Sequence, residues 1–126
     1  EHALRVLEKG IRENPDAYEL YLEKGRILND SPAQIAEAET ALRTALNKWR
    51  QTHDSLPEKP HTASGKEYLS IVLNLGQTLA ANGKKQEAAV LYRHVLHLAP
   101  HPAHLRRKIR NWEENGKPAS KRTDDR

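Results

Sequence analysis

The chain has 126 residues, 37% of them hydrophobic and 30% charged, and its mean hydropathy of −0.88 suits an elongated helical array better than one compact globule. The absence of cysteine excludes disulfides and thiolate metal sites, and no apolar run approaches the roughly 18 residues of a membrane span. The net charge of +4 arises in residues 103–126, which hold eight Lys or Arg against four acids, so it argues against nucleic-acid binding along the whole chain.

The first two predicted helices lie before residue 30. Apolar residues recur with helical period over residues 2–13, and that segment stops at Pro15. A second helix is predicted over 17–28, where Asp16 and Glu19 have the spacing of an N-terminal capping pair.

The third predicted helix begins at the sequence SPAQ, residues 31–34. Ser31 is a good cap, a proline follows at the first helical position, and Gln34 completes a capping box. The helix continues to residue 50 with one apolar face. Residues 51–66 are polar and rich in turn formers, and we predict that they form an inserted loop.

Three further helices are predicted beyond the loop. The segments 67–81 and 85–98 are separated by Gly83, which we expect to adopt positive φ in the turn. A closing amphipathic helix follows over 102–115, and 117–126 is predicted to be a basic, flexible tail. No segment alternates with period two over the length of a strand, so the sequence predicts an all-α fold.

These helices recur at fixed spacing along the chain. A shift of 85 residues places Pro15 on Pro100, and a shift of 51 places Gly25 on Gly76. Both shifts fit a unit of 34 residues interrupted by 17 inserted ones, sixteen of which fall in the loop 51–66.

The repeated pattern resembles the tetratricopeptide repeat (TPR) family, whose unit is a pair of antiparallel helices. The similarity is best over 69–100. The first unit departs from the family at Lys24, where leucine is usual, and at Arg50, where proline is usual. The residues that carry the resemblance are Leu75, Gly76, Gly83, Ala88, Tyr92 and Pro100 in the second unit, and Gly25, Ala38, Leu42 and Ala45 in the first.

The resemblance implies a TPR-like α-solenoid of antiparallel helix pairs over residues 1–116. Its parts would be the second helix of a partial repeat (1–15), a repeat (16–50), the inserted loop (51–66), a second repeat (67–100) and a closing helix (102–115). We interpret the chain as a fragment of a longer TPR protein. Upstream repeats of that protein would cover the apolar stripe Leu4, Leu7 and Ile11.

Small side chains explain why such helices can cross closely. Helices pack 8–10 Å apart, and the short end of that range requires small residues at the contact. We expect Gly76 to face Ala88 and Gly25 to face Ala38. A glycine inside a helix costs roughly 1 kcal/mol against alanine, so close packing must offset that cost.

The resemblance also implies a function, that of a non-catalytic scaffold which binds a protein or peptide in a concave groove. The first helix of each pair would line that groove. The residues placed there are Glu19, Arg26, Asn29, Ser70, Asn74, Gln77, His104, Lys108 and Asn111. Asn74 and Lys108 also match two positions with which some family members clamp a C-terminal carboxylate, although Leu22, Arg26 and His104 depart from that pattern.

Two other hypotheses remain open. The first is binding of a polyanion, either nucleic acid or an acidic membrane surface, through a basic patch in 103–126. Its cations are Arg106, Arg107, Lys108, Arg110, Lys121 and Arg122. Interleaved acids disfavour nucleic acid, and Trp112 shares a helix face with Leu105 and Ile109, which predicts packing. The second is a purely architectural or self-associating segment.

The sequence suggests no catalytic or metal site. Four histidines have helical spacing (His94, His97, His101 and His104), but prolines interrupt the helix between the two pairs, so we interpret them as exposed surface residues. The helix carboxylates, namely Glu19, Glu23, Glu37 and Glu39, are predicted to be solvated. We therefore expect no enzyme activity, no cofactor and no metal ion, and the sequence does not indicate a compartment.

Overall fold

A computed structural model describes residues 2–53, 55–59 and 61–115, and all the regular secondary structure in these ranges is helical. The helices are α1 (His2–Glu13), α2 (Tyr18–Leu28), α3 (Ile35–Gln51), α4 (Ala63–Ala81), α5 (Lys85–His94) and α6 (Pro102–Asn115). Two 3-10 segments occupy Pro32–Gln34 and Leu96–Leu98. The predicted all-α class is confirmed, because these ranges contain no strand. None of the described helices has both the length and the apolar character needed to cross a bilayer.

Each helix packs on the next one along the chain, from α1 on α2 to α5 on α6. The most extensive interfaces lie between α2 and α3, between α4 and α5, and between α5 and α6, while α2 also reaches α4. Below, α2–α3 is called the first pair and α4–α5 the second pair.

The main core lies where α3 of the first pair meets the second pair. Trp49 of α3 is completely buried and stacks on His53 with ring centroids 3.8 Å apart. The ring of Tyr68 on α4 is tilted against Trp49 with ring centroids 5.0 Å apart, and Nε1 of Trp49 donates to Glu67 at 3.2 Å. The remaining buried members of this cluster are Leu42, Ala45, Leu46, Ile71, Val72, Leu75, Leu79, Ala88, Val95 and Leu98.

A second, smaller core joins α5 to α6. Tyr92 and Ile109 are buried in it, and the rings of Trp112 and Tyr92 meet edge to face with their centroids 4.6 Å apart. The prediction that Trp112, Leu105 and Ile109 are packing residues is therefore confirmed.

Glycines mark the crossing within each pair, but their nearest neighbours differ from those predicted. A β-carbon placed on Gly76 would lie 2.8 Å from Cδ1 of Tyr92, and nearer still to its Cε1. One placed on Gly25 would lie 2.6 Å from Cδ2 of Leu42. Ala88 and Ala38, the expected partners, are fully buried, but the space that each glycine leaves is taken by the larger side chain one helical turn further on.

The turn between α4 and α5 agrees with the sequence prediction. Gly83 has a φ of 82°, a left-handed conformation that glycine adopts without strain. The amide of Lys84 then donates to the carbonyl of Leu79 at 2.8 Å and closes the end of α4.

The inserted loop is shorter than predicted. Helix α3 continues to Gln51 and α4 begins at Ala63, so the non-helical segment is 52–62 instead of 51–66. Helix α4 starts one turn early because the Thr62 hydroxyl accepts a hydrogen bond from the amide of Gly65 at 2.9 Å.

Both predicted capping signals in the first half are wrong. Ser31 makes no side-chain capping bond, the segment Pro32–Gln34 is 3-10, and the α-helix begins only at Ile35. Asp16 does not cap α2 either. Its carboxylate instead accepts from Nζ of Lys48 at 3.1 Å, which joins the start of α2 to α3.

Two other predictions concern the end of α5 and the C-terminal tail. The helix expected over 85–98 stops at His94, and Val95, with φ −115° and ψ 9°, leads into the 3-10 turn Leu96–Leu98. The predicted tail over 117–126 lies outside the described residues. In α1 no residue is buried, and Val6 keeps 57% of its surface exposed.

Candidate functional site

An open cavity of about 460 Å³ runs along α4. It has an apolar floor and a polar upper wall. The floor consists of Leu69, Leu73, Leu98 and Pro100, and the wall consists of Ser70, Asn74 and Gln77, with His61 and Lys66 at one end.

A second depression of about 370 Å³ lies between α2 and α4. It is more polar, and its lining residues are Glu23, Arg26, Ile27, Asn29, Asp30, Asn74 and Gln77. Asn74 and Gln77 line both, so the two depressions adjoin at these residues. We call this combined surface the α2–α4 groove.

A buried hydroxyl fixes the relative position of the two helices that form the groove. Thr78 is fully buried, and its Oγ1 lies 3.0 Å from Oδ1 of Asn29 and 3.0 Å from the carbonyl of Asn74. Asn74 in turn donates from Nδ2 to the carbonyl of Ser70 at 2.8 Å. The amides of the groove are therefore held in place before any partner arrives, which lowers the entropic cost of binding.

The structure brings together five of the nine residues predicted for the groove. These five are Arg26, Asn29, Ser70, Asn74 and Gln77. Glu19 is exposed and lines neither depression. The three predicted residues of α6, which are His104, Lys108 and Asn111, are also exposed but line neither depression.

The basic patch is only partly within the described residues. Arg106, Arg107, Lys108 and Arg110 are exposed on α6, and within the part of the chain that the structure describes none of them forms an ion pair. The acid Glu113 on the same helix is instead paired with Arg93 of α5. Lys121 and Arg122 lie outside the described residues.

A buried carboxylate joins the two pairs, and the sequence prediction for it was wrong. Glu39 of α3, expected to be solvated, is 7% exposed. Its Oε1 accepts from Asn82 at 2.8 Å, and its Oε2 accepts from Lys84 at 2.8 Å and from Arg43 at 2.9 Å. Arg43 also binds Glu87 at 2.8 Å. This network attaches the turn between α4 and α5 to α3.

The surroundings of Glu39 determine its ionisation. Burial alone would raise the pKa of the carboxyl, but the hydrogen bonds from Lys84, Asn82 and Arg43 outweigh burial and lower the pKa to about 2. The group is therefore a structural anion at physiological pH.

The histidines are on the surface, as predicted. His94, His97, His101 and His104 are all exposed. His97 contacts the inserted loop, with Nε2 3.1 Å from the carbonyl of Pro57. Among the described residues, no group of three or more metal-ligating side chains is positioned to hold an ion.

Comparisons with known proteins provide no assignment, because no protein-family model, curated protein or solved structure matches the chain. The resemblance to the TPR family therefore rests on the residues of this chain alone.

Proposed function

We propose that this chain is a non-catalytic interaction module of the TPR type, and that it binds a protein or peptide partner in the α2–α4 groove. The position of Asn74 and Gln77 in both depressions carries this proposal, since five groove residues chosen from the repeat register line the two depressions. Concave surfaces with an apolar floor and a few fixed polar groups are typical binding sites.

The two glycine crossings support a repeated architecture. Gly25 faces Leu42 in the first pair, and Gly76 faces Tyr92 in the second. Gly25 and Gly76 lie 51 residues apart in the sequence, and Leu42 and Tyr92 lie 50 residues apart, as the repeat register requires. We therefore propose that the described helices form two TPR-like pairs of an α-solenoid, with α1 from a partial repeat and α6 as the closing helix.

Site-specific photocrosslinking tests this function. A photoreactive amino acid replaces Gln77 in the groove or, as a matched control, Val90, which is 53% exposed on α5 and lines neither depression. We expect the same protein to be captured at Gln77 at low and at high salt, with no capture at Val90. Equal capture at both positions would contradict groove binding.

Polyanion binding is the second candidate function. Its support is the exposed, unpaired set Arg106, Arg107, Lys108 and Arg110 within the described part of α6. Phosphate neutralisation by these cations would make binding fall steeply with salt. Replacing Arg106 and Arg107 with glutamine would then weaken binding of a single-stranded oligonucleotide or of anionic vesicles, but would leave the crosslink at Gln77 unchanged.

A further inference from the structure

We propose that the cavity on α4 receives one large apolar side chain of a partner peptide that carries Asp or Glu next to this anchor residue. This inference rests on the proposed groove function and specifies the chemistry of the partner. The cavity lies at one end of the α2–α4 groove, between α4, the end of the inserted loop and the segment that follows α5.

The floor of the cavity suits an apolar anchor. Leu69 and Leu73 are only partly buried, and Leu98, which also lines the cavity, is 1% exposed. Covering such surface with an apolar group contributes about 25 cal/mol per Å². The volume of about 460 Å³ falls within the range of about 300–1,000 Å³ that is typical of ligand sites.

The charge at the cavity is positive and comes from Lys66. Lys66 and His61 stand at its end, and among the residues that the structure describes no acid lines it. The adjoining depression differs, because Glu23 and Asp30 accompany Arg26 there. The acid closest in sequence, Glu67, is bound by Nε1 of Trp49 at 3.2 Å and lines neither depression. An acidic residue beside the anchor would therefore find a cation without a competing carboxylate.

The first turn of α4 adds positive electrostatic potential at the end of the cavity that holds Lys66. It contains no acid, and the positive end of the dipole of a 19-residue helix lies there. Thr62 caps this turn, and His61 immediately before it belongs to the inserted loop. The loop is attached to the second pair through Pro57, whose carbonyl is bound by His97. The insertion thus supplies part of the binding site.

Peptide selection provides the test. A displayed library of random dodecapeptides is selected on the full 126-residue chain, and the affinities of synthetic consensus peptides are measured by fluorescence anisotropy. We expect a consensus with Leu, Ile, Phe or Trp next to Asp or Glu. Replacing the acid of the peptide with lysine should weaken binding by about tenfold or more.

Charge reversal on the protein locates the contact. Lys66→Glu should lower the affinity for the acidic peptide by about tenfold and raise the affinity for the lysine-substituted peptide. Lys9→Glu, an exposed position on α1, is the matched control and should change neither affinity. Because Lys66 is exposed, the variant should keep its melting temperature. If Lys66 only stabilised the fold, its replacement would not exchange the preference between the two peptides.

Filling the cavity provides an independent variant. Ser70 is a half-buried helix residue of the cavity wall. Ser70→Tyr should occupy the space for the anchor and reduce binding about tenfold or more. Thermal unfolding of this variant checks that the helices remain packed.

Four results would overturn the inference. If the consensus lacks an acid, or if Lys66→Glu binds all peptides like the wild type, the inference fails, while a crosslink at Gln77 would still support the groove function. A wild-type dimer that Ser70→Tyr dissociates would identify a second copy of the chain as the occupant. A selection in which no peptide crosslinks at Gln77 would contradict both proposals.

Discussion

The first helices of the two pairs, α2 and α4, occupy equivalent positions in the sequence register but differ greatly in burial. Only Gly25 and Leu28 are buried in α2. Eight residues of α4 are buried, among them Tyr68, Ile71 and Leu75. The cause is the extent of the covering, because α4 lies between α3 and α5 while α2 has on one side only α1, in which no residue is buried and whose interface with α2 is small.

The same local sequence pattern therefore serves two purposes in α2 and α4. In the second pair it builds the core, and in the first it holds a helix whose exposed side forms the polar part of the groove. Residues that join the pairs should therefore control stability more than residues within the first pair. The following predictions test that ranking, from the largest effect to the smallest.

The largest effect should come from Trp49, which belongs to the first pair but packs on the second. Trp49→Ala should lower the free energy of unfolding by about 3–5 kcal/mol, because it opens a large cavity in the main core. Urea denaturation measures the change. Trp112→Ala is the matched control and should cost less, since Trp112 is only half-buried. Equal losses would contradict the ranking.

Glu39 should contribute the next largest effect, and its contribution should depend on pH. Its pKa is lowered to about 2 from 4.5, so the stabilisation is fully present above about pH 4.5 and is lost as the pH falls toward 2. Glu39→Gln should cost about 2–3 kcal/mol at pH 7. This difference from the wild type should shrink in denaturation curves between pH 5 and 2.

The control for this variant is Glu37→Gln on the same helix, at an exposed position. It should leave stability within about 0.5 kcal/mol of the wild type at every pH. A loss at Glu39 that persists unchanged at pH 2 would show that the carboxylate charge is not the cause.

The glycine crossings within the two pairs should rank third. Gly76→Ala should cost about 1–2 kcal/mol, because overpacking costs about 1–3 and alanine regains up to about 1 in helix propensity. Gly25→Ala should cost a similar amount, because its β-carbon would also meet Cγ of Leu42, which is fully buried in the main core. Thermal melting gives both values.

Gly10→Ala in α1 is the matched glycine control. Its β-carbon would meet Leu20 at 3.4 Å, an ordinary contact, so the variant should gain up to about 1 kcal/mol. A stabilising Gly76→Ala would refute the close crossing in the second pair.

The smallest effects should come from surface ion pairs. Asp16→Asn breaks the pair with Lys48, and Glu113→Gln breaks the pair with Arg93. Both pairs have an exposed member, so each change should cost about 0.2–1 kcal/mol and less at high salt. Salt-dependent melting temperatures measure both effects.

The sequence predicted most of the helical architecture because its signals are local. Helical periodicity, Pro15 and Gly83 located the ends of several helices within a few residues. The helix ends that were misplaced depended on side-chain choices that a pattern does not determine. Ser31 had a suitable partner three residues later yet did not cap, whereas Thr62 did.

The candidate site was only partly predictable, because it depends on contacts between distant segments. The repeat register identified the exposed faces of α2 and α4, and therefore Arg26, Asn74 and Gln77. It did not reveal that His61 of the inserted loop reaches the cavity. It also missed Glu39, whose burial requires a turn more than forty residues away in the chain.

Hydrogen exchange of the full chain, alone and with the selected peptide, tests most directly whether a partner binds where α2 and α4 meet. We predict slower amide exchange at residues 26–29 and 66–77, with unchanged exchange over 106–110. Protection confined to 106–110 would contradict the account and place binding on the basic face of α6.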